Sequence, residues 1–414
     1  MSASARSEPV GQTSHGQILK STLTVGTASA VGVIFSIARN KAVALMLGPE
    51  GIGLMGLYGA LADMAQNLAG LGGQSSGVRQ IADAAGTQDN DIVARTARVL
   101  SRISVVLGLA GALLLILLAV PISGLTFGNH QHAGGVALLA FAVTLRVVSG
   151  GQLALLQGLR KVSSVATINV AGALIAAIAT IPLVYVFGLN GIVPSIIAAS
   201  AATLLSSWYF CRRIDLPRVH VAPADFGEES LRLLKLGFVF MVSGLLTFGA
   251  AYAIRLIVLH EEGVASAGLY QAAWAVGGLY IGIILQAMGT DFYPRLTAAS
   301  RNNSECNRLV NEQAQMSLLL AGPGVIATLT FAPLVLQILY SHAFDDASDL
   351  LRLICLGMLL RSLAWPLGYI VVAKEANSLF FWTEVAATVV HVGLAWILVA
   401  QFGSAGAGAA FVGL

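Results

Sequence analysis

The sequence predicts an all-α membrane protein with about twelve transmembrane helices in two parallel-repeat six-helix bundles, and three observations predict it. The chain is 57% hydrophobic and only 10% charged over 414 residues, with a mean hydropathy of +0.81. A soluble domain needs roughly 25% charged residues to solvate its surface. The apolar runs are continuous over about 20 residues or more, the length an α-helix needs to cross a bilayer, and not the short alternating segments of a membrane barrel. Finally, one half of the chain superimposes on the other at a single offset of 215 residues.

The elements follow in order. The first 17 residues, "MSASARSEPVGQTSHGQ", are polar and are expected to form a disordered cytoplasmic tail. The apolar stretch behind them is too long for a signal-peptide core and lacks a small-residue cleavage site, so it is a retained first helix, 19–47. "LGPEG" turns the chain into a second span, 52–72, which ends before Arg79, Arg95, Arg98 and Arg102. The third and fourth spans, 97–120 and 134–158, flank "PISGLTFGNHQHAGG". Arg160 and Lys161 separate the fourth from the fifth, 162–187, and "FGLNG" separates the fifth from the sixth, 190–210.

A charged stretch, 211–232, links this N-terminal bundle (18–210) to a C-terminal one (233–414). Spans near 235–259, 264–290, 310–339, 348–372 and 377–401 come next, and a twelfth begins at 404. They are joined in turn by "HEEG", a basic stretch from Arg295 to Arg308, "YSHAFDDASD", Lys374 and "FGSAG". The offset puts the counterpart of Phe210 about 11 residues past Leu414, so the twelfth helix is expected to be truncated. "AGPG" at Ala321–Gly324, with Pro333 beyond it, marks the ninth span as one that bends.

Basic residues set the orientation. Of the 23, 17 lie in the tail or in alternate loops: Arg6, Lys20, Arg79, Arg95, Arg98, Arg102, Arg160, Lys161, Arg212, Arg213, Arg218, Arg232, Lys235, Arg295, Arg301, Arg308 and Lys374. The opposite loops hold none. Positive charge stays inside, so the N-terminus is expected to be cytoplasmic. The repeat agrees: Lys20 falls on Lys235, Gly48 on Gly263, Gly53 on Gly268, Arg146 on Arg361 and Gly188 on Gly403. Six helices is an even number, so both halves point the same way and are related by an axis along the membrane normal.

The remaining basic residues carry the function. Arg39, Lys41, Arg146, Arg255 and Arg361 fall inside apolar spans, while Arg352 lies at an outer end where it can snorkel. A cation at the helix centre costs about 2.5–3.5 kcal/mol on insertion scales. Arg146 is roughly 18–21 Å from either end of its helix, too deep for easy escape. These five are expected to line a water-filled cavity built for an anion; the alternative is a structural role, with Arg146 and Arg361 paired with a carboxylate or capping a broken helix, Arg39 and Lys41 snorkelling outward, and Arg255 near Glu261. Three acidic or titratable groups share the spans: Asp63, Glu384 and His391. They are expected to couple transport to protons or sodium; the alternative is pairing with the arginines for Asp63 and Glu384, and a hydrogen-bonded packing role for His391. Asp291 is close enough to an end to be an interface charge.

Several classes are excluded. Cys211, Cys306 and Cys355 are scattered without metal-site spacing, and the HxH pair in Asn129–His132 has no further ligand, so no metal and no cofactor is expected. There is no phosphate-binding P-loop, no GxSxG and no loop long enough for a soluble catalytic domain. An enzyme is not expected, nor is nucleic acid as a partner.

The stretch "LGPEGIGLMGLYGALADMAQNLAGLGGQSSGVRQIA", Leu47 to Ala82, resembles the Wzx-type O-antigen and polysaccharide flippases of the multidrug/oligosaccharidyl-lipid/polysaccharide exporter superfamily. The "LGPEGIG" turn and the glycine-rich descent to Arg79 carry the likeness, and the twelve-helix plan extends it along the chain. The resemblance implies a MATE-like fold in a bacterial inner membrane. It implies carriage of an undecaprenyl-diphosphate-linked oligosaccharide to the periplasmic face, among membrane lipids and polysaccharide assembly proteins. It also implies that Arg39, Lys41, Arg146, Arg255 and Arg361 line the cationic cavity. The rival expectations are a cation antiporter of the same superfamily and a membrane-embedded polymerase or glycosyltransferase.

Overall fold

A computed structural model describes residues 12–87, 89–217, 219, 223–287 and 292–414, with side chains of the first helix described from its middle onward. Residues 1–11 of the expected tail, the side chain of Lys20, Arg218 and Asp291 lie outside the described residues.

Among the described residues, fourteen α-helices follow one another. The first two expected spans are one helical run, α1 (Gln12–Ala69), broken only at Gly48, where φ is 64° and ψ is −160°. That conformation needs a residue without a Cβ, and Pro49 directly after it cannot continue the ladder. A tight turn at Gly70–Gly72 leads into α2 (Gly73–Gly86), then α3 (Asn90–Leu117) and α4 (Ala119–Phe127). The bundle is completed by α5 (Ala133–Gly158), α6 (Val162–Phe187) and α7 (Ile192–Cys211). The second half holds α8 (Pro223–Glu262), α9 (Val264–Ala287), α10 (Tyr293–Ala298), α11 (Asn303–Leu339), α12 (Ser348–Ala373), α13 (Asn377–Phe402) and α14 (Ser404–Val412).

The repeat is written into the backbone. The offset of 215 carries both ends of α5 onto those of α12, and both ends of α6 onto those of α13. It also carries left-handed residues onto left-handed residues: Gly48 onto Gly263 (φ 64° and 88°), Arg160 onto Glu375 (55° and 58°), Gly188 onto Gly403 (58° and 62°).

The third helices of both halves bend near the same depth. A break at Leu118 separates α3 from α4, and α11 bends at Phe331 (φ −107°, ψ 25°), two residues before Pro333. The bend is thus not at Ala321–Gly324, where Pro323 sits within helical backbone. Pro333 has no N–H for the carbonyl four residues back, Leu329, and its ring crowds that carbonyl. Arg352 supplies the missing donor: its Nε reaches the Leu329 oxygen at 3.0 Å, and its other branch pairs with Asp349 at 2.6 Å. Arg352 is therefore a cap on a broken helix as well as an interface charge.

Two close crossings join the halves. Near the Gly48 end, a Cβ on Gly268 would stand 1.9 Å from the Pro49 carbonyl, and one on Gly53, its repeat mate, 2.2 Å from that of Val264. Near the end that carries the basic loops, Gly237 meets the Leu71 carbonyl in the same way, at 2.3 Å. Asn67 Nδ2 donates to Met241 O (2.9 Å) and Ser76 Oγ to Leu233 O (2.8 Å) across that end. Symmetry-related straps close the other rim. Lys41 Nζ donates to the Ile338 carbonyl and Asn40 bonds Tyr340, tying α1 to the end of α11. Thr126 and Tyr252 hydroxyls bond at 2.5 Å, tying α4 to α8. Outward faces of these helices carry exposed apolar side chains such as Leu113, Leu117, Leu319 and Ile326, as lipid requires.

Two outcomes are expected. Gly268→Ala overpacks the crossing, at a cost of about 1–3 kcal/mol, and lowers the melting temperature in detergent, whereas Gly59→Ala, with open space at its Cβ, does not. Arg352→Met leaves the Leu329 carbonyl unpaired, at a cost of about 1–3 kcal/mol. That loss shrinks when Pro333→Ala restores the N–H, a coupling read by a double-mutant cycle.

Candidate functional site

Midway along α5, Arg146 points toward α1 and α7. Its Nη1 donates to Asp63 Oδ1 at 2.6 Å, and its Nε donates to Ser200 Oγ at 3.2 Å. The pair is wet: side-chain exposures are 25% for Arg146 and 49% for Asp63. Ser200, by contrast, is buried and returns its own proton to the Ile196 carbonyl. The guanidinium is thus fixed from behind by a hydroxyl and met from the front by a carboxylate.

Two further guanidinium groups face this pair. Arg255 on α8 is 9% exposed, donates from Nε to Gln271 Oε1 (2.9 Å) and from Nη1 to its own helix at Ala251 O (2.6 Å), and is within electrostatic reach of Asp63. Gln271 fits because its repeat mate is Gly56: a Cβ there would be 2.8 Å from Gln271 Cγ. Arg39 on α1 contacts its neighbour Asn40 through two long bonds of 3.3 and 3.4 Å and is within electrostatic reach of Arg146. One cation from each half, Arg146 and Arg255, therefore shares the Asp63 carboxylate, with Arg39 beside Arg146. Among the described residues, Asp63 is the acid recorded against any of them.

Space adjoins the cluster on two sides. A cavity of about 300 Å³ between α1, α2, α3, α5 and α8 is lined by Asp63, Gln66, Asn67, Gln74, Ser104 and Phe248. A smaller one of about 130 Å³ is apolar and lies between α1, α9 and α11, against Val33, Ile37, Asn40, Val276, Leu279 and Tyr340.

The other residues singled out from the sequence lie apart. Lys41 is spent on the Ile338 carbonyl at the rim. Arg361, although it repeats Arg146, stacks on Trp365 (5.0 Å) and Phe411 (5.9 Å), and the acid within its electrostatic reach is Glu384. His391 feels Arg361 and packs its ring 5.6 Å from Phe411. It is 8% exposed, and its Nε2 is buried with no hydrogen-bond partner among the described residues. The charges thus form two groups: Arg39, Arg146, Arg255 and Asp63 between the halves, and Arg361, Glu384 and His391 within the second half. Asp63, expected as either a coupling group or an arginine's partner, is Arg146's partner.

Polar residues beyond those singled out complete the site. Asn67 lies one turn beyond Asp63 in "YGALADMAQNLAG", on the same face, and the polar run QN at 66–67 signalled it. Gln271 and Ser200 gave no signal, because each is one uncharged polar residue among several in an apolar helix. Among the described residues, no group of three or more His, Cys, Asp or Glu side chains is placed to hold a metal ion. His132 Nδ1 bonds Tyr58 Oη at 3.1 Å with its ring 4.2 Å from Phe127, and burial holds its imidazole below the ordinary range.

A profile of the polysaccharide biosynthesis protein family matches residues 42–349, well over half of the chain. The chain belongs to that family. It is 24% identical to the lipid III flippases of Escherichia coli (strain K12) and Shigella flexneri, over 95% of this chain and 94% of theirs. Its fold is that of the MATE transporters. An inward-facing multidrug resistance MATE family transporter of the MOP superfamily superimposes with a TM-score of 0.76 at 18% identity, over 92% of this chain and 90% of that one. A MOP superfamily transporter from Pyrococcus furiosus, described by the reverse polarity of its binding pocket, gives 0.67 at 18% identity over 96% and 90%.

Burial of neutral His132 has a pH signature. Its folded imidazole gives up protons more readily than the unfolded one, so the stability it contributes is present above about pH 6.5 and lost as pH falls below it. The melting temperature is expected to drop on acidification, and to drop less in His132→Phe.

Proposed function

We propose that this chain is a flippase that carries a polyprenyl-diphosphate-linked oligosaccharide from the cytoplasmic to the outer face of a bacterial inner membrane. The observation that carries the reading is the pair of guanidinium groups, Arg146 and Arg255, that share a single carboxylate between the two halves, with a third, Arg39, beside Arg146. A diphosphate carries about two negative charges, and the planar guanidinium fork matches phosphate oxygens with paired donors. The polyprenyl tail stays in lipid while the head group and sugars cross between the halves, whose rocking alternates access. The basic loops face the cytoplasm, which puts the N-terminus there.

Roles divide along the two charge groups. Arg39, Arg146 and Arg255 bind the head group. Lys41 straps the outer rim. Arg361, Glu384 and His391 respond to the coupling ion, since a carboxylate and an imidazole whose Nε2 has no partner among the described residues are groups able to exchange a proton. The lipid III flippase relatives favour a polyprenyl-linked oligosaccharide in general over O-antigen in particular. The chain acts as a transporter and not as an enzyme, alongside polysaccharide assembly proteins that supply and remove its cargo. An antiporter for cationic drugs would want a cavity dominated by acids, and here cations outnumber the acid.

The test is surface polysaccharide display in a bacterium lacking its own flippase. Arg146→Ala and Arg255→Ala are each expected to lower display at least about tenfold at unchanged protein level, the effect of losing roughly 1.4 kcal/mol of head-group binding. Normal display by both variants overturns the reading.

A further inference from the structure

We propose that Asp63 is a built-in stand-in for the substrate's phosphate, holding the guanidinium cluster while the carrier is empty and leaving it when the head group arrives. The inference rests on the head-group reading above and gives Asp63 a role distinct from ion coupling.

Four observations lead to it. Asp63 meets Arg146 through a single short contact, Oδ1 to Nη1 at 2.6 Å, with no second bond locking the fork among the described residues. Its carboxylate is about half exposed (49%) and forms part of the wall of the 300 Å³ cavity, so an incoming anion has access to it. Arg146 keeps an independent anchor in Ser200, at 3.2 Å, so it stays aimed when the carboxylate departs. And Asp63 also attracts Arg255 from the opposite half. One carboxylate therefore offsets charge on both sides of the interface.

The electrostatic consequence is an exchange. Without an anion, Arg39, Arg146 and Arg255 repel one another, and closing the halves around them costs free energy. Asp63 removes part of that cost, so the unloaded carrier closes and returns. A diphosphate brings two charges where Asp63 brings one, and displaces it. The resident carboxylate also sets a ceiling on affinity, because every binding event must break the Asp63–Arg146 pair and every release is helped by its re-formation.

Purified full-length protein in detergent, titrated calorimetrically with farnesyl diphosphate, tests this. Asp63→Asn is expected to bind about tenfold more tightly than the parent, a gain of roughly 1.4 kcal/mol, while polysaccharide display falls because release and return slow. Asp63→Glu should keep affinity near the parent's. Asp63→Ser serves should the Asn variant not fold. Binding that requires Arg146 but is unchanged or weaker in Asp63→Asn and Asp63→Ser overturns the exchange and leaves the head-group reading standing. Binding that is indifferent to Arg146→Ala overturns that reading, and this inference with it.

Discussion

A charge at the middle of a bilayer must find a partner or a wet surface, and this constraint organises the interior of the molecule. Arg146 lies midway along a 26-residue helix, too far from either end to reach the headgroups. The fold answers with a carboxylate from α1, a hydroxyl from α7 and a cavity between the halves. Arg352 answers the same demand differently, by taking the carbonyl that Pro333 releases. Buried Arg255 leans on a glutamine and its own helix. In each case the side chain's position follows from which neighbour offers oxygen.

The internal repeat explains why the site is shared between halves without being symmetrical. Backbone turns obey the offset closely, down to left-handed Arg160 and Glu375, neither of which is a glycine. Side-chain chemistry does not. The residue 215 beyond Asp63 is Gly278, so Arg361 has no carboxylate where Arg146 has one. It turns instead to Trp365, Phe411 and the field of Glu384. A duplicated frame thus holds two different polar centres.

Much of this frame was legible from sequence, because hydropathy and glycine placement act locally. Gly48, Gly188, Gly263 and Gly403 marked turns that the structure makes with positive φ. Helix α2 was missed since its first residues, "GQSSG", look like a turn, and its amphipathic face is decided by packing on α5 and α8. The bend at Phe331 was displaced from the glycine-flanked Pro323 to Pro333, because only the second proline has Arg352 beside it to satisfy the freed carbonyl. The site was half visible. Charges in apolar spans announced themselves, but which of them meet depends on neighbours such as Ser200 and Gln271 that carry no signal of their own.

The glycine crossing has a mechanical consequence. With Gly53 and Gly268 allowing backbone against backbone, that point serves as a fulcrum. Arg255 lies seven residues from Glu262, where α8 ends beside that crossing, a lever arm of about 10 Å at 1.5 Å per residue. A swing of about 15°, the size of known subunit rotations, moves that point of α8 about 3 Å relative to Asp63 and Arg146, which ride together on the other half. On the proposed head-group reading, Arg255 is the moving tooth of the jaw, and the Arg146–Asp63 bond survives the stroke unless a phosphate takes its place.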